Sequence, residues 1–188
     1  TPLGGDVLVP VAVEGTEAVS TPFLFTVDFV SPNVAIAPAD LLGKPVGLSI
    51  VRPDGSARPV HGLVRRFTNR GLAGLTRYRA ELVPWLWMLS LSTDYRTYEN
   101  QSVLDVVEDV CRRAGFTAFR RSVTTAPSAE PYVVQYGETS LDFVSRLLER
   151  AGLYYWFEHA ASAHTLVISD AKGTTIPAGA LATVEVHP

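Results

Sequence analysis

The chain has 188 residues, a formal charge of −3, 19% charged and 47% hydrophobic residues. A chain of this length buries roughly 70% of its extended surface, enough for one large or two small cores, and its sparse, slightly acidic charge excludes the concentrated positive field of a general nucleic-acid binder. Its one cysteine, Cys111, excludes an intrachain disulfide and a cysteine-based metal cluster. Residues Thr1 to Asp6 have neither the basic start nor the apolar run of a signal peptide, and no segment approaches the roughly 18 apolar residues of a membrane helix.

In chain order, Val7, Val9, Val11 and Val13 alternate with other residues and predict a half-buried strand, followed by a turn over Glu14 to Thr16. Phe23, Phe25, Val27 and Phe29 alternate again, with Thr26 and Asp28 on the opposite face. A loop over Ser31 to Asp40 and a turn over Leu41 to Pro45 lead to a strand through Val46, Leu48 and Ile50. Pro53-Asp54-Gly55 closes a hairpin with a strand over Val60 to Phe67, and a turn over Asn69 to Gly74 leads to a strand over Thr76 to Val83. Five or six short strands without a helix predict a closed or nearly closed antiparallel β-barrel, because closure removes exposed edges.

Pro84 to Leu89, with Trp85 and Trp87, is the densest apolar patch. It reads as a plug between the barrel and an α+β unit, with an aromatic platform for a sugar or nucleobase as the alternative if the rings are exposed and coplanar. Beyond the patch one pattern occurs twice, at 98–119 and 135–157. Each copy has a hydroxyl cap followed three positions later by an acid, Ser102 with Asp105 and Thr139 with Asp142, which is a capping box. Apolar residues then recur at helical spacing: Val103, Val106, Val107, Val110, Cys111 and Ala114, then Phe143, Val144, Leu147, Leu148 and Ala151. Each helix ends on arginine, alanine and glycine, at Gly115 and Gly152, where glycine relieves a left-handed turn. Strands are expected over Tyr132 to Tyr136 and Leu153 to Phe157, so both helices should lie on a sheet.

The fold class is therefore mainly β with an α+β part: a barrel over 1–90, an internally duplicated α+β unit over 91–172, and a linker over 173–188. The core candidates are Phe23, Phe25, Val27, Trp85, Trp87, Val107, Val110, Phe143, Leu147 and Tyr155.

No cofactor, metal or catalytic constellation is expected. His61, His159, His164 and His187 show no HExxH spacing, although His159 and His164 are placed to approach each other across a turn. No serine sits in a nucleophile elbow, and no glycine-rich loop follows a strand to cradle phosphate. Glu99, Asp105, Glu108, Asp109, Glu138 and Asp142 fall at helix starts or on polar helix faces, where capping and solubility outweigh catalysis. Removing the Glu108 charge is accordingly expected to change stability by less than about 0.5 kcal/mol. The pairs Arg65-Arg66, Arg112-Arg113 and Arg120-Arg121 read as solvated edges or salt bridges. Cys111, in a buried stripe, reads as an inert hydrophobe.

Several ordered blocks together resemble the VgrG proteins, trimeric spikes of the bacterial type VI secretion system that are similar to the baseplate hub of contractile phage tails. They are PFLFTVDFVSP at 22–32, DLLGKPV at 40–46, His61-Gly62, YRAELVPWLWML at 78–89, NQSVLDVV at 100–107 and VVQYGETSLDFVSRLLERAGLYYWFEH at 133–159. Ala151 departs from the acid common there and removes only a charge. The resemblance implies a structural, non-enzymatic role: a homotrimeric hub with two related barrels per chain, seated on a sixfold tube of Hcp protein, in contact with baseplate proteins and, through other segments, with a needle, a PAAR tip protein and effectors. It makes 173–188 the lead into a second hub barrel. It also implies assembly on the baseplate in the bacterial cytoplasm, followed by secretion or injection into a target cell. A phage-like tail hub is an alternative, and a glycan-binding or glycan-hydrolysing module is one from a different class.

Overall fold

The computed structural model describes residues 1–4 and 7–170, so the segment 173–188 lies outside it. Five strands form the first sheet: β1 (Val9–Ala18), β2 (Thr21–Ser31), β3 (Pro45–Val51), β4 (Ala57–Ala73) and β5 (Leu75–Val83), in the spatial order β1-β2-β5-β4-β3 with antiparallel pairing throughout. The period-two pattern of β2 sends Phe23, Phe25, Val27 and Phe29 into the core while Leu24, Thr26 and Asp28 stay half-exposed.

The expected closed or nearly closed barrel forms only in part. β1 and β3 lie at opposite edges of a curled, open half-barrel, and among the described residues neither edge is paired with another strand. Leu8, Ile36 and Leu41 join the buried cluster of β2, β4 and β5, and Phe157 packs against it from the second part of the chain. Closure removes edges only when enough strands are available to complete the ring. The valines of β1 are also not half-buried, since every residue of that strand is exposed.

Two turns differ from expectation. β1 runs on through Glu14 to Thr16, and the reversal occurs at Val19 and Ser20, with Ser20 at φ 55°. Gly15 serves packing instead: it lies opposite Phe25, and a β-carbon there would enter the Phe25 ring. Likewise β4 extends to Ala73, with an irregular register between Asn69 and Gly71, and the chain reverses at Gly74, φ 81°.

A 3₁₀ helix, Trp85–Leu91, leads into the second part. There the duplicated pattern folds as two successive strand-helix-strand units: β6 (Thr93–Ser102), α1 (Val103–Arg113) and β7 (Phe119–Ser122), then β8 (Ala129–Thr139), α2 (Ser140–Arg150) and β9 (Tyr154–His159). β6 and β8 pair as an antiparallel ribbon, while β10 (His164–Ser169) lies between β7, parallel, and β9, antiparallel. Ser102 Oγ accepts the Asp105 N–H at 3.2 Å and Thr139 Oγ1 accepts the Asp142 N–H at 3.0 Å. Gly115 and Gly152 take φ of 86° and 67° just past the helices. The apolar stripes of α1 and α2 share one core with Trp85, Leu86, Leu89, Tyr98, Tyr155, Leu166 and Ile168.

Candidate functional site

All but one of the core candidates are buried: Phe23, Phe25 and Val27 in the first core, Trp85, Val107, Val110, Phe143, Leu147 and Tyr155 in the second. Trp85 stacks on Phe116 with centroids 4.9 Å apart, so its face is closed to a ligand. Trp87 is half-buried, with the Arg65 guanidinium 5.5 Å over its ring. The two tryptophans therefore present no shared platform.

Most of the charged side chains neutralise one another. Arg79 bonds both oxygens of Asp28 at 2.7 and 2.8 Å and holds that carboxyl below its ordinary range. Arg65 and Arg66 share Glu81, Arg113 meets Asp109, and Arg120 meets Glu158. Glu108 corrects the expectation of a solvated helix face. Its side chain is only 8% exposed, and its carboxylate accepts from Arg112 at 2.8 Å and from Arg121 as well. The strand after α1 lays Arg121 across the helix, a contact that helical periodicity alone does not predict. Burial pushes the Cys111 thiol up to about 12, so it is neither a nucleophile nor a metal ligand at neutral pH.

Among the described residues, two of the exposed surfaces suit assembly. On the first sheet, the wholly exposed edge strand β1 borders a groove of about 340 Å³ with Val11, Val30, Arg70, Arg77 and Arg79 in its lining. On the β6–β8 ribbon, Tyr95, Tyr132 and Tyr136 are exposed, the last at 80%, and Tyr95 packs edge-on to Tyr136 at 5.2 Å. An unpaired strand edge and an outward aromatic cluster are features of surfaces that another chain covers.

The seam between the two parts is polar at its centre. His61 on β4 meets His164 on β10, Nδ1 to Nδ1 at 2.9 Å, and the His61 N–H donates to His159 Nδ1 on β9 at 3.1 Å. His164 Nε2 accepts the Trp85 N–H at 2.9 Å, and His159 Nε2 lies 3.2 Å from Glu17 Oε1 on β1, whose other oxygen accepts from Arg58. The Phe23 ring packs on His159 and His164 at centroid distances of 4.8 and 5.6 Å. The approach of His159 to His164 follows from the β9–β10 register, where they are directly paired. The arrival of His61, 98 residues before His159 in sequence, had no sequence signal. Among the described residues no group of three or more His, Cys, Asp or Glu side chains is disposed to hold a metal ion. His187 lies outside those residues.

Comparison with known proteins gives a consistent family. The family model described as phage tail baseplate hub (GPD) matches residues 16–188. The type VI secretion system spike protein VgrG1a of Pseudomonas aeruginosa is 42% identical over 188 residues, covering 100% of this chain and 29% of that protein. Among solved structures, the Escherichia coli c3393 protein, described as a type VI secretion component structurally similar to the phage T4 tail proteins gp27 and gp5, superposes with a TM-score of 0.81 at 29% identity, over 88% of this chain and 46% of the other. A tail protein from Neisseria meningitidis shares the fold at a TM-score of 0.63 and 17% identity, over 88% of this chain and 47% of the other. The chain thus spans less than half the length of these relatives.

Proposed function

Because the chain belongs to the VgrG and phage tail baseplate hub family, we propose that it is a structural, non-catalytic part of a type VI secretion spike hub, joining an Hcp tube to a puncturing needle. The observation that carries this reading is the 42% identity, over the whole of this chain, to a secretion spike protein. The open edge of β1 and the exposed tyrosines of the β6–β8 ribbon support it, since they suit an assembly in which neighbouring chains complete the first sheet. The assembly is a homotrimer in which two related barrels per chain offer six similar surfaces to a sixfold tube, as closed rings need complementary heterologous contacts. Baseplate proteins, a PAAR tip and effectors are further partners, and the assembled hub leaves the cytoplasm when the machine fires. A phage-like tail hub is the second reading, favoured by the shared fold of the Neisseria tail protein.

Sedimentation of the 188-residue chain beside a version extended to the length of its relatives tests the assembly. The short chain is expected to be monomeric or weakly associated at micromolar concentration, because few contacts must offset the lost translational and rotational freedom. The long version is expected as a tight trimer that co-sediments with Hcp tubes. A tight trimer from the short chain refutes the first expectation, and a monomer from both refutes the hub reading. Reducing ends released from peptidoglycan, abolished by one carboxylate substitution, would refute the non-catalytic role.

A further inference from the structure

The histidine seam is a buried cluster of titratable groups that the hub reading does not use. Its partners settle which ring nitrogens carry protons. His164 Nε2 accepts the Trp85 N–H, so the proton of its neutral ring is on Nδ1 and donates to His61 Nδ1. The His61 proton is then on Nε2. His159 Nδ1 accepts the His61 N–H, which leaves its Nε2–H to donate to Glu17 Oε1. Every bond in the series Trp85, His164, His61, His159, Glu17, Arg58 is thereby satisfied with neutral rings at His61 and His164.

A second proton has no acceptor there. On His164 it would face the Trp85 N–H, and on His61 it would face the His164 Nδ1–H, donor against donor in both cases. The surrounding charged and titratable groups are Glu17 on β1, Arg58 on β4 and His159 on β9, while the faces of Phe23 and Phe157 close the apolar side. The three rings hang from strands of both cores. The same seam is crossed by the Ser20 N–H bond to the Tyr155 carbonyl at 2.8 Å and by the close approach of Gly47 to the Ala161 carbonyl. A groove of about 560 Å³ beside Glu17, Val19, Phe23 and Trp156 brings solvent to its rim.

We propose that this histidine chain is a proton-operated latch, holding the half-barrel to the helix-bearing part while its rings are neutral and releasing it in mild acid. The electrostatics agree with the geometry. Burial, and then the neighbouring histidines, hold His164 down to about 3, and burial followed by His159 lowers His61. Groups that gain protons on opening favour the closed seam above the ordinary histidine value and lose that stabilisation as pH falls toward their closed-state values. In that window each pH unit raises the ratio of open to closed by about tenfold per histidine.

The test is hydrogen exchange on the 188-residue chain, corrected for intrinsic rates, from about pH 7.5 to about pH 5. The amides of His61, Trp85 and Ser20 report the seam. Seam protection is expected to fall by at least about tenfold over this range. Seam protection that stays constant over it would overturn the latch. The double variant His61→Asn with His164→Gln keeps an acceptor for Trp85 and a donor-acceptor contact between the two side chains without a titrating ring; it should lose the pH dependence of the seam, and retention of that dependence refutes the proposal. Should the variant not fold, nitrogen-detected ring spectra of the unaltered chain decide: the Nδ1–H form of His164 and the Nε2–H form of His61 are expected at about pH 7.5, and the opposite tautomers, or ordinary titration of either ring in the closed protein, overturn it.

Discussion

Glu108 gives the sharpest test of how the second part is held together, since helix periodicity and tertiary structure disagree about it. Its carboxylate is nearly enclosed while the arginines it binds, Arg112 and Arg121, remain 58% and 39% exposed. Breaking a fully buried ion pair costs about 3–5 kcal/mol because a charge is left without a partner. Here the stranded charges are on the arginines, which reach water, and Arg121 keeps a second bond of 2.8 Å to Asp105. A Glu108→Gln substitution keeps the volume and one acceptor, so the loss reduces to the charge-assisted part of two hydrogen bonds, about 1–2 kcal/mol. At ordinary denaturant sensitivities that is a fall of about 0.5–1 M in the urea midpoint without a change of slope. Combined with Arg121→Gln in a double-mutant cycle, the pair should show a coupling of about 1 kcal/mol. A midpoint unmoved within the range of a solvated surface charge, under about 0.5 kcal/mol, would show that the Arg121 contact contributes nothing and that the helix face behaves as exposed.

Phe143→Ala or Leu147→Ala should cost about 3–4 kcal/mol by calorimetry or urea titration, since both side chains are fully buried and Phe143 stacks on Tyr98 at 5.9 Å; a loss below about 1 kcal/mol would mean that the site collapses without a cavity. Ser102→Ala and Thr139→Ala should each lower stability by about 1 kcal/mol, and additively, because each deletes the acceptor for one orphan N–H at a separate helix start. Cys111, with its thiol pushed up to about 12, should resist a soluble disulfide reagent in the folded protein and react fully in denaturant; rapid labelling of the native chain would contradict its burial.

Local features were legible because their causes are local. The caps at Ser102 and Thr139, the left-handed glycines after each helix, the alternation of β2 and the 3.6-residue stripes of α1 and α2 depend only on residues within a turn or two of one another. The repeated unit was likewise visible, as was the family, through its ordered blocks. What the chain's pattern left undetermined depends on partners far away in sequence. Alternation in β1 could not reveal that the strand lies at an edge that no further strand pairs with among the described residues, because exposure is a property of the sheet order and not of the strand. Gly15 reads as a turn signal when only its neighbours are considered, and only the facing Phe25 ring gives it its packing role. Glu108 became buried when a strand arriving from beyond the helix placed Arg121 across it. The histidine seam joins β1, β4, β9 and β10, and no spacing rule connects residues whose proximity comes from docking two cores against each other. Sequence by itself determined the elements and the kinship, through propensity, period and capping; tertiary structure alone decided which edges stay open and which charges and imidazoles are buried, because desolvation is set by what packs on a side chain rather than by what precedes it in the chain.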